Sequence, residues 1–146
     1  MPEGKILPFP NRMTPVSRVI SVRLTTGCYR HLRLPSSATL EDLSDAILWA
    51  FGFANDHAHA FFLDNLAWSD KNSYFDIRMD VDERLRHTCD CKLDILLPKQ
   101  RFKYVFDFGE NWVFSCQLLR EEEDCDDIEL VRVCGEAPPQ YDPSFP

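Results

Sequence analysis

The sequence predicts one α+β domain, mainly an antiparallel β-sheet with one principal helix packed on it. The first observation is that aromatic and apolar residues alternate with polar ones through residues 101–119, RFKYVFDFGENWVFSCQLL. A period of two is typical of a sheet with one buried face. The second observation is an apolar stripe at three- and four-residue spacing through residues 39–51, which predicts an amphipathic helix. At 146 residues the chain is long enough to bury a substantial core as a single domain.

The N-terminal segment, residues 1–15, contains four prolines and is predicted to be a flexible arm. The core is predicted to run from residue 16 to residue 139. It begins with a hairpin of two strands, at residues 18–24 and 29–34. Pro35 ends the second strand because proline cannot donate a hydrogen bond to the ladder.

The helix has sequence signals at both ends. Thr39 is a good N-cap, and Asp42 three residues later completes a capping box with the shorter acid. Gly52 suits the position just beyond the helix because glycine adopts left-handed backbone at little cost. A strand is predicted next, at residues 57–63. The order strand, strand, helix, strand resembles the start of a β-grasp fold.

The second half of the chain is predicted to contain the aromatic hairpin and one last strand. A further hairpin within residues 66–78 and a polar surface connection at 79–92 precede the aromatic hairpin. An acidic loop at residues 121–127 separates it from a strand at 128–133. Residues 140–146 form an irregular tail.

The net charge of −8 is unevenly distributed along the chain. Residues 121–129 carry seven acids and no base, whereas residues 1–33 carry six bases and one acid. The local basic excess leaves nucleic acid open as a partner, although the overall charge does not favour it. No apolar run approaches the roughly 20 residues of a membrane helix, and no signal peptide is evident, which predicts a cytoplasmic protein with reduced thiols and no membrane partner.

Three short motifs follow one another along the chain: YRHLRLPSSATL at residues 29–40, FGFANDHAHAF at 51–61 and YVFDFGENW at 104–112. Together they resemble the plasmid pRiA4b ORF-three-like family, some members of which are described as passenger proteins, labelled TnpR, of an insertion element. The resemblance spans about Val16 to Pro139 and implies a helix on an antiparallel sheet. It implies no assigned biochemical activity, and the chain has no recognisable recombinase serine or tyrosine motif.

The chain departs from the family pattern at several positions. The family often has a histidine two residues after the tryptophan of the third motif, where this chain has Phe114. His31 replaces a motif arginine, Ala60 replaces an acid, and Gln140-Tyr141 replaces the family's Glu-Asp after two prolines. A site that needed those groups would be impaired here.

Asp107, Glu110 and Trp112 surround the turn of the aromatic hairpin. The two carboxylates at a strand end suit acid–base chemistry or metal binding. The structural alternative is that Asp107 accepts backbone N–H bonds across the turn while Glu110 is solvated. Trp112 suits a ligand cleft or a stacking platform, or simply the core that the alternation predicts.

His57 and His59 are two residues apart, so on a strand they face the same way. This spacing suits a divalent metal, the one cofactor that the sequence suggests, with Asp107 or Asp56 as a third ligand. Two histidines do not make a site by themselves, and the alternative is a polar sheet edge with hydrogen-bonded histidines. His57, His59 and Asp107 are therefore candidate metal ligands.

Three functions remain open from the sequence. The first, which we favour, is a non-enzymatic binding module for a protein or small ligand, with a groove near the DFGENW turn lined by Asp107, Glu110, Trp112, His57 and Arg30. The second is a metal-assisted hydrolase that uses His57, His59, Asp107 and Glu110. The third is a nucleic-acid accessory factor that uses the basic N-terminal strands. The replacement of the family histidine by Phe114 favours the first over the second.

Overall fold

The structure, a computed structural model, describes residues 14–79 and 81–141. Most of the predicted N-terminal arm and residues 142–146 of the predicted tail lie outside the described residues. Within these ranges the chain forms seven strands and one α-helix, α1 (Leu40–Phe51). The strands are β1 (Val16–Thr25), β2 (Cys28–Leu34), β3 (His59–Phe62), β4 (Ser73–Phe75), β5 (Arg101–Phe106), β6 (Trp112–Glu123) and β7 (Glu129–Cys134).

One sheet contains these strands in the order β4-β3-β5-β6-β1-β2-β7. The pairings between neighbours are antiparallel throughout. The predicted α+β class is therefore confirmed. The β-grasp-like start is not confirmed, because β5 and β6 lie between β1 and the strand that follows the helix.

Helix α1 begins and ends where its capping residues predict. The Thr39 side chain accepts a bond from the backbone N–H of Asp42, and the Asp42 carboxylate accepts one from the Thr39 N–H. This reciprocal capping box satisfies two backbone donors that the helix leaves unpaired. Gly52 follows the helix with φ of 72°, a conformation in which a Cβ atom would be strained.

Helix α1 covers one face of the sheet, and the main core lies between them. The aromatic hairpin supplies several of its fully buried side chains, among them Phe102, Phe106 and Phe114, as the alternation predicts. Tyr104 is also fully buried, and its hydroxyl lies 2.7 Å from Oγ of Ser44 in α1. The bond satisfies both polar groups in the core.

The opposite face of the sheet has two parts. Near β3 and β5 a smaller apolar cluster includes Phe62 and Val105. Trp68 covers this cluster, with its ring 5.4 Å from that of Phe62 and 4.9 Å from that of Phe108. From β5 to β7 the same face is polar and reaches solvent.

Two predicted strand segments are shorter in the structure. The strand predicted at residues 57–63 is reduced to β3, and the hairpin predicted within 66–78 contributes only β4. Asn65 and Trp68 have φ of 66° and 67°, so the backbone between β3 and β4 turns instead of extending. These turns place Trp68 over the small apolar cluster.

The predicted acidic loop starts later than expected. Its first three residues continue β6, which ends at Glu123 and pairs with β1. Glu121 lies 3.6 Å from Arg18, and Glu122 lies 3.6 Å from Arg33. Basic neighbours on β1 and β2 therefore let this acidic stretch remain in the sheet, because opposite charges across strands stabilise the pairing.

Candidate functional site

The turn of the aromatic hairpin is built around Asp107. Its φ is 62°, and its Oδ1 atom accepts backbone bonds from Gly109 and Glu110, both at 3.2 Å. Its carbonyl oxygen accepts a bond from the N–H of Asn111. These contacts form an Asx-type turn. Asp107 therefore accepts backbone N–H bonds across the turn, as the structural alternative for this residue predicts. Glu110 is exposed.

The other carboxylate oxygen of Asp107 faces His57. The distance from Oδ2 to His57 Nε2 is 3.4 Å, and the Asp107 side chain is 7% exposed while that of His57 is 42% exposed. Two of the predicted site residues are thus brought together beside the turn. His57 Nε2 also lies 3.7 Å from Oδ1 of Asp56, the predicted alternative ligand.

The C-terminal segment, for which the sequence left open whether it packs on the body, contacts this pair. The Tyr141 hydroxyl donates to Asp56 Oδ2 and lies 3.2 Å from His57 Nε2. Gln140 exchanges two bonds with the backbone of Ala54 and donates a third to Asp56. The bond to Asp56 raises the pKa of Tyr141 to about 12, and the same bond lowers the pKa of Asp56.

His59 is directed into the protein, where it binds other partners. Its Nε2 atom lies 2.8 Å from Oγ1 of Thr88, and its Nδ1 atom lies 3.2 Å from Oδ2 of Asp76. Burial outweighs the nearby carboxylate and lowers the pKa of His59 to about 4. Across residues 14–79 and 81–141, no three His, Cys, Asp or Glu side chains form a group that could hold a metal ion. The predicted ligands His57, His59 and Asp107 are therefore not assembled as one site.

Arg30 is buried away from the hairpin turn. Its guanidinium donates to the carbonyl oxygens of Ala50, Tyr29, Cys134 and Gly135, at 2.9 to 3.1 Å. It also lies over the ring of Phe51, 4.7 Å from the centroid. Arg30 thus joins the C-terminal end of α1 to the end of β7 and is not available to an external ligand.

Trp112 and Phe114 belong to the aromatic packing of the core. The Trp112 ring lies 4.9 Å from that of Phe53 in an edge-on arrangement, and the side chain is partly buried. Phe114 is fully buried, 5.1 Å from Phe51. Of the six predicted site residues, His57 and Glu110 are therefore the two classed as exposed.

The open face of the sheet assembles basic residues that the sequence did not group. Strand register places two rows side by side across β5, β6, β1, β2 and β7. Their members are Arg101, Gln117, Ser21, His31 and Arg132 in one row, and Lys103, Ser115, Arg23, Tyr29 and Cys134 in the next. We call these two rows the basic face. The intervening positions on each strand, such as Val22 and Leu32, point into the core.

The described residues around the basic face leave its positive charge without carboxylate partners. Among the described residues, none of Arg23, Arg101, Lys103 and Arg132 forms an ion pair. Partial burial and repulsion by Arg132 and Arg120 lower the pKa of His31. Burial is the larger cause, and the two arginines act in the same direction.

Beyond the two rows, the same side of the sheet is neutralised by acids. Arg33 lies 3.2 Å from Glu129, and Arg120 lies 2.6 Å from Glu122. The acidic segment therefore compensates arginines at its own end of the sheet, and the basic face keeps its charge although the whole chain has a net charge of −8.

A cavity of about 330 Å³ opens in the basic face. Its lining combines the guanidinium groups of Arg23 and Arg101 and the imidazole of His31 with an aromatic ring and neutral polar side chains, namely Tyr29, Ser21, Ser115 and Gln117. Such a surface offers charge, hydrogen-bond donors and acceptors, and an aromatic ring in one place.

The sequence and the fold are similar to those of known proteins. The family model for plasmid pRiA4b ORF-3-like protein matches residues 19–141. The chain belongs to this family. A search of curated proteins gives no match. The crystal structure of the protein of unknown function MM3350 from Methanosarcina mazei Go1 is similar to the chain, with a TM-score of 0.64 and 21% identity over 86% of this chain and 72% of that one. This likeness shows the fold alone.

In this pRiA4b ORF-3-like protein the three motif segments lie at different places in the fold. The DFGENW segment forms the hairpin turn, and the DHAH segment leads into β3 beside it. The YRHLRL segment is β2, which carries Tyr29 and His31 on the basic face and Arg30 on the opposite side. No helix in the described part of the chain is long and apolar enough to cross a membrane.

Proposed function

We propose that this pRiA4b ORF-3-like protein is a non-enzymatic binding module for nucleic acid, with the basic face as its ligand surface. The observation that carries the proposal is a set of cationic side chains, in two adjacent rows of one sheet, that form no ion pair with residues 14–79 or 81–141. The proposal keeps the non-enzymatic binding module that the sequence favours, but its ligand is nucleic acid, as in the third alternative, instead of a protein or small ligand. It moves the ligand surface from the DFGENW turn to the open side of β5, β6, β1, β2 and β7.

Charge and spacing favour a ligand with several phosphates. Neighbouring strands lie roughly 4.8 Å apart, so the basic row from Arg101 on β5 to Arg132 on β7 spans about 19 Å. One small anion cannot contact groups separated by that distance. A phosphate polymer can contact them together, and each neutralised phosphate releases counterions, which adds to the affinity. Arginine also offers a planar pair of donors that matches a phosphate group.

The contacts at the hairpin turn give less support to a ligand groove there. Asp107 holds the turn through its backbone bonds, and Trp112 packs against Phe53. His57 and Asp56 are engaged by Tyr141 of the same chain. Arg30 donates to four carbonyl oxygens in the interior. A groove lined by these residues would require several of these contacts to break.

The experiment measures binding of a fluorescein-labelled oligonucleotide by fluorescence anisotropy at several salt concentrations. The test variant is R101Q/R132Q, which removes two charges from the basic face. The control variant is R84Q/K92Q, which removes two charges outside the basic face, since Arg84 pairs with Asp82 and Lys92 is exposed beside the N-cap of α1. Both variants lower the net charge equally, so a difference between them reports position.

We expect the test variant to bind at least 10-fold more weakly at low salt, and the control to stay within about twofold of wild type. The plot of log K against log salt should also be shallower for the test variant, by about 0.7 per lost phosphate contact on a single strand. Absence of binding by the wild-type protein at low salt, or equal loss in both variants, would contradict the proposal.

A further inference from the structure

We infer that the basic face binds single-stranded nucleic acid and receives one base in the cavity beside Tyr29. This inference rests on the proposed function and adds the strandedness of the ligand and the position of a base. The inference is based on the mixed lining of the cavity, where an aromatic ring and three neutral polar side chains lie among the cations.

The aromatic ring is the part of this lining that a phosphate backbone does not use. Hydroxyl and amide groups can bond a phosphate or a base edge, whereas only an unpaired base offers a flat π-surface to stack on a ring. Tyr29 supplies an aromatic ring, and Ser21, Ser115 and Gln117 supply hydroxyl and amide groups at the same cavity. Proteins that bind single strands combine these two kinds of contact, with bases stacked on aromatic side chains inside a positive surface.

Tyr29 is held in place by neighbours that leave it on the open side of β2. Its ring lies 5.2 Å from that of His31, and the guanidinium of Arg132 lies 5.8 Å from its centroid. Across the strands it is in register with Arg23 on β1 and Cys134 on β7. A base against Tyr29 would therefore have arginines on both sides for its flanking phosphates.

The width of the basic face and its cavity favour a single strand over a duplex read in its major groove. A width of about 19 Å across five strands exceeds the roughly 12 Å major groove, so this face cannot enter it. A duplex also keeps its bases stacked and paired, out of reach of the cavity. A single strand can lie across the two rows and present a base to it.

The acids define the direction of such a strand. Beyond the row that contains Arg101 and Arg132, the next row includes Glu129, and the row after that includes Glu122. A phosphate backbone running along the β-strands would meet these carboxylates, whereas one running across them from β5 to β7 would remain among the cations. The inferred path is therefore perpendicular to the β-strands.

The test compares three probes at equal salt: a labelled dT12 strand, a 12-base-pair duplex, and unlabelled inorganic polyphosphate as a competitor. The variant is Tyr29→Ala, and Tyr29→Phe is the matched control because it retains the ring. Loss of one stacked base lowers affinity by about 5- to 150-fold. We expect that loss for Tyr29→Ala with dT12, near wild-type binding for Tyr29→Phe, and unchanged competition by polyphosphate in both.

A second measurement does not depend on the variant folding. The ring-proton resonances of Tyr29 in wild-type protein, assigned by comparison with Tyr29→Phe, should shift upfield on titration with dT4 and remain in place with polyphosphate. Equal binding of single strand, duplex and polyphosphate, without a Tyr29 ring shift, would overturn this inference and leave the proposed function standing. Absence of binding to all three probes at low salt would overturn both.

Discussion

The Nδ1 atom of His59 lies 3.2 Å from Oδ2 of Asp76, and both side chains are almost completely buried, at 3% and 2% exposure. The same carboxylate oxygen accepts bonds from Nε and Nη2 of Arg78. Asp76 also donates its backbone N–H to the carbonyl of His59. The pair therefore anchors the segment after β4 to β3, and the carboxylate has a cationic partner whether or not His59 is protonated.

His59 should make the protein less stable in acid. Its pKa is about 4 in the folded chain against an ordinary value of 6.5, so the unfolded chain takes up this proton first as the pH falls. The free energy of unfolding should fall between about pH 6.5 and pH 4, by roughly 3 kcal/mol in total, and this group should add no further change below that range. Urea denaturation at half-unit pH steps measures the slope.

The variant His59→Gln removes the titration and retains groups that can bond with Asp76 and Thr88. Its unfolding free energy should vary less with pH between 6.5 and 4 than that of wild type. His57→Gln is the control, since His57 is 42% exposed at the surface. An identical pH slope in wild type and His59→Gln would mean that another group is responsible.

Asp107 should stabilise the hairpin turn by two separable effects, its side-chain hydrogen bonds and its tolerance of a positive φ. Alanine at this position loses the bonds from Gly109 and Glu110 and must adopt φ of 62°, so Asp107→Ala should lose between about 2 and 4 kcal/mol. Glycine adopts that φ freely, so Asp107→Gly should lose about 1 to 2 kcal/mol less than the alanine variant. Asparagine retains an oxygen acceptor and tolerates this backbone, and it should be the mildest of the three.

Chemical denaturation of the three variants separates backbone strain from the lost hydrogen bonds. If alanine were as well tolerated as asparagine, the Asx-type turn would not contribute to stability. A function for Asp107 outside the turn would then become the better explanation of its position beside His57.

Arg30 should be a structural residue, in contrast to the arginines of the basic face. Its replacement by methionine leaves the carbonyls of Ala50, Cys134 and Gly135 without their donor, and we expect a loss of at least 2 to 3 kcal/mol. The exposed Arg132→Met should change stability by less than about 0.5 kcal/mol. Polyanion affinity should show the reverse order, with Arg132→Met weakened and folded Arg30→Met close to wild type. Thermal melts and anisotropy on the same samples decide between these roles.

Local signals in the sequence account for the elements that were predicted well. The capping box of Thr39 and Asp42 and the turn glycine Gly52 depend on residues within a few positions of each other, and so does the alternation in β5 and β6. The last strand was predicted at 128–133 and is β7, within one residue at each end. Such features need no knowledge of the rest of the fold.

Contacts between distant residues could not be predicted in the same way. Thr88 reaches His59 across 29 positions, and Tyr141 reaches His57 across 84. The basic face requires the strand order, because Arg101 and Arg132 approach the β1–β2 hairpin only once β6 and β7 flank it. The alternation did give a partial signal, since it placed Arg23, His31 and Lys103 on outward-facing positions of their strands.

His31 should couple nucleic-acid binding to pH. In the free protein, partial burial together with repulsion from Arg132 and Arg120 lowers its pKa below the ordinary 6.5. A phosphate bound at Arg132 offsets that repulsion, so the pKa of His31 rises in the complex and binding takes up a proton. Affinity for dT12 should therefore increase as the pH falls from 8 to 6, and the increase should be smaller in His31→Gln. Anisotropy titrations at constant ionic strength measure this pH dependence of the affinity, with His57→Gln as the control. Equal pH dependence in wild type and His31→Gln would place the bound phosphates away from Arg132 and contradict the position proposed for the ligand.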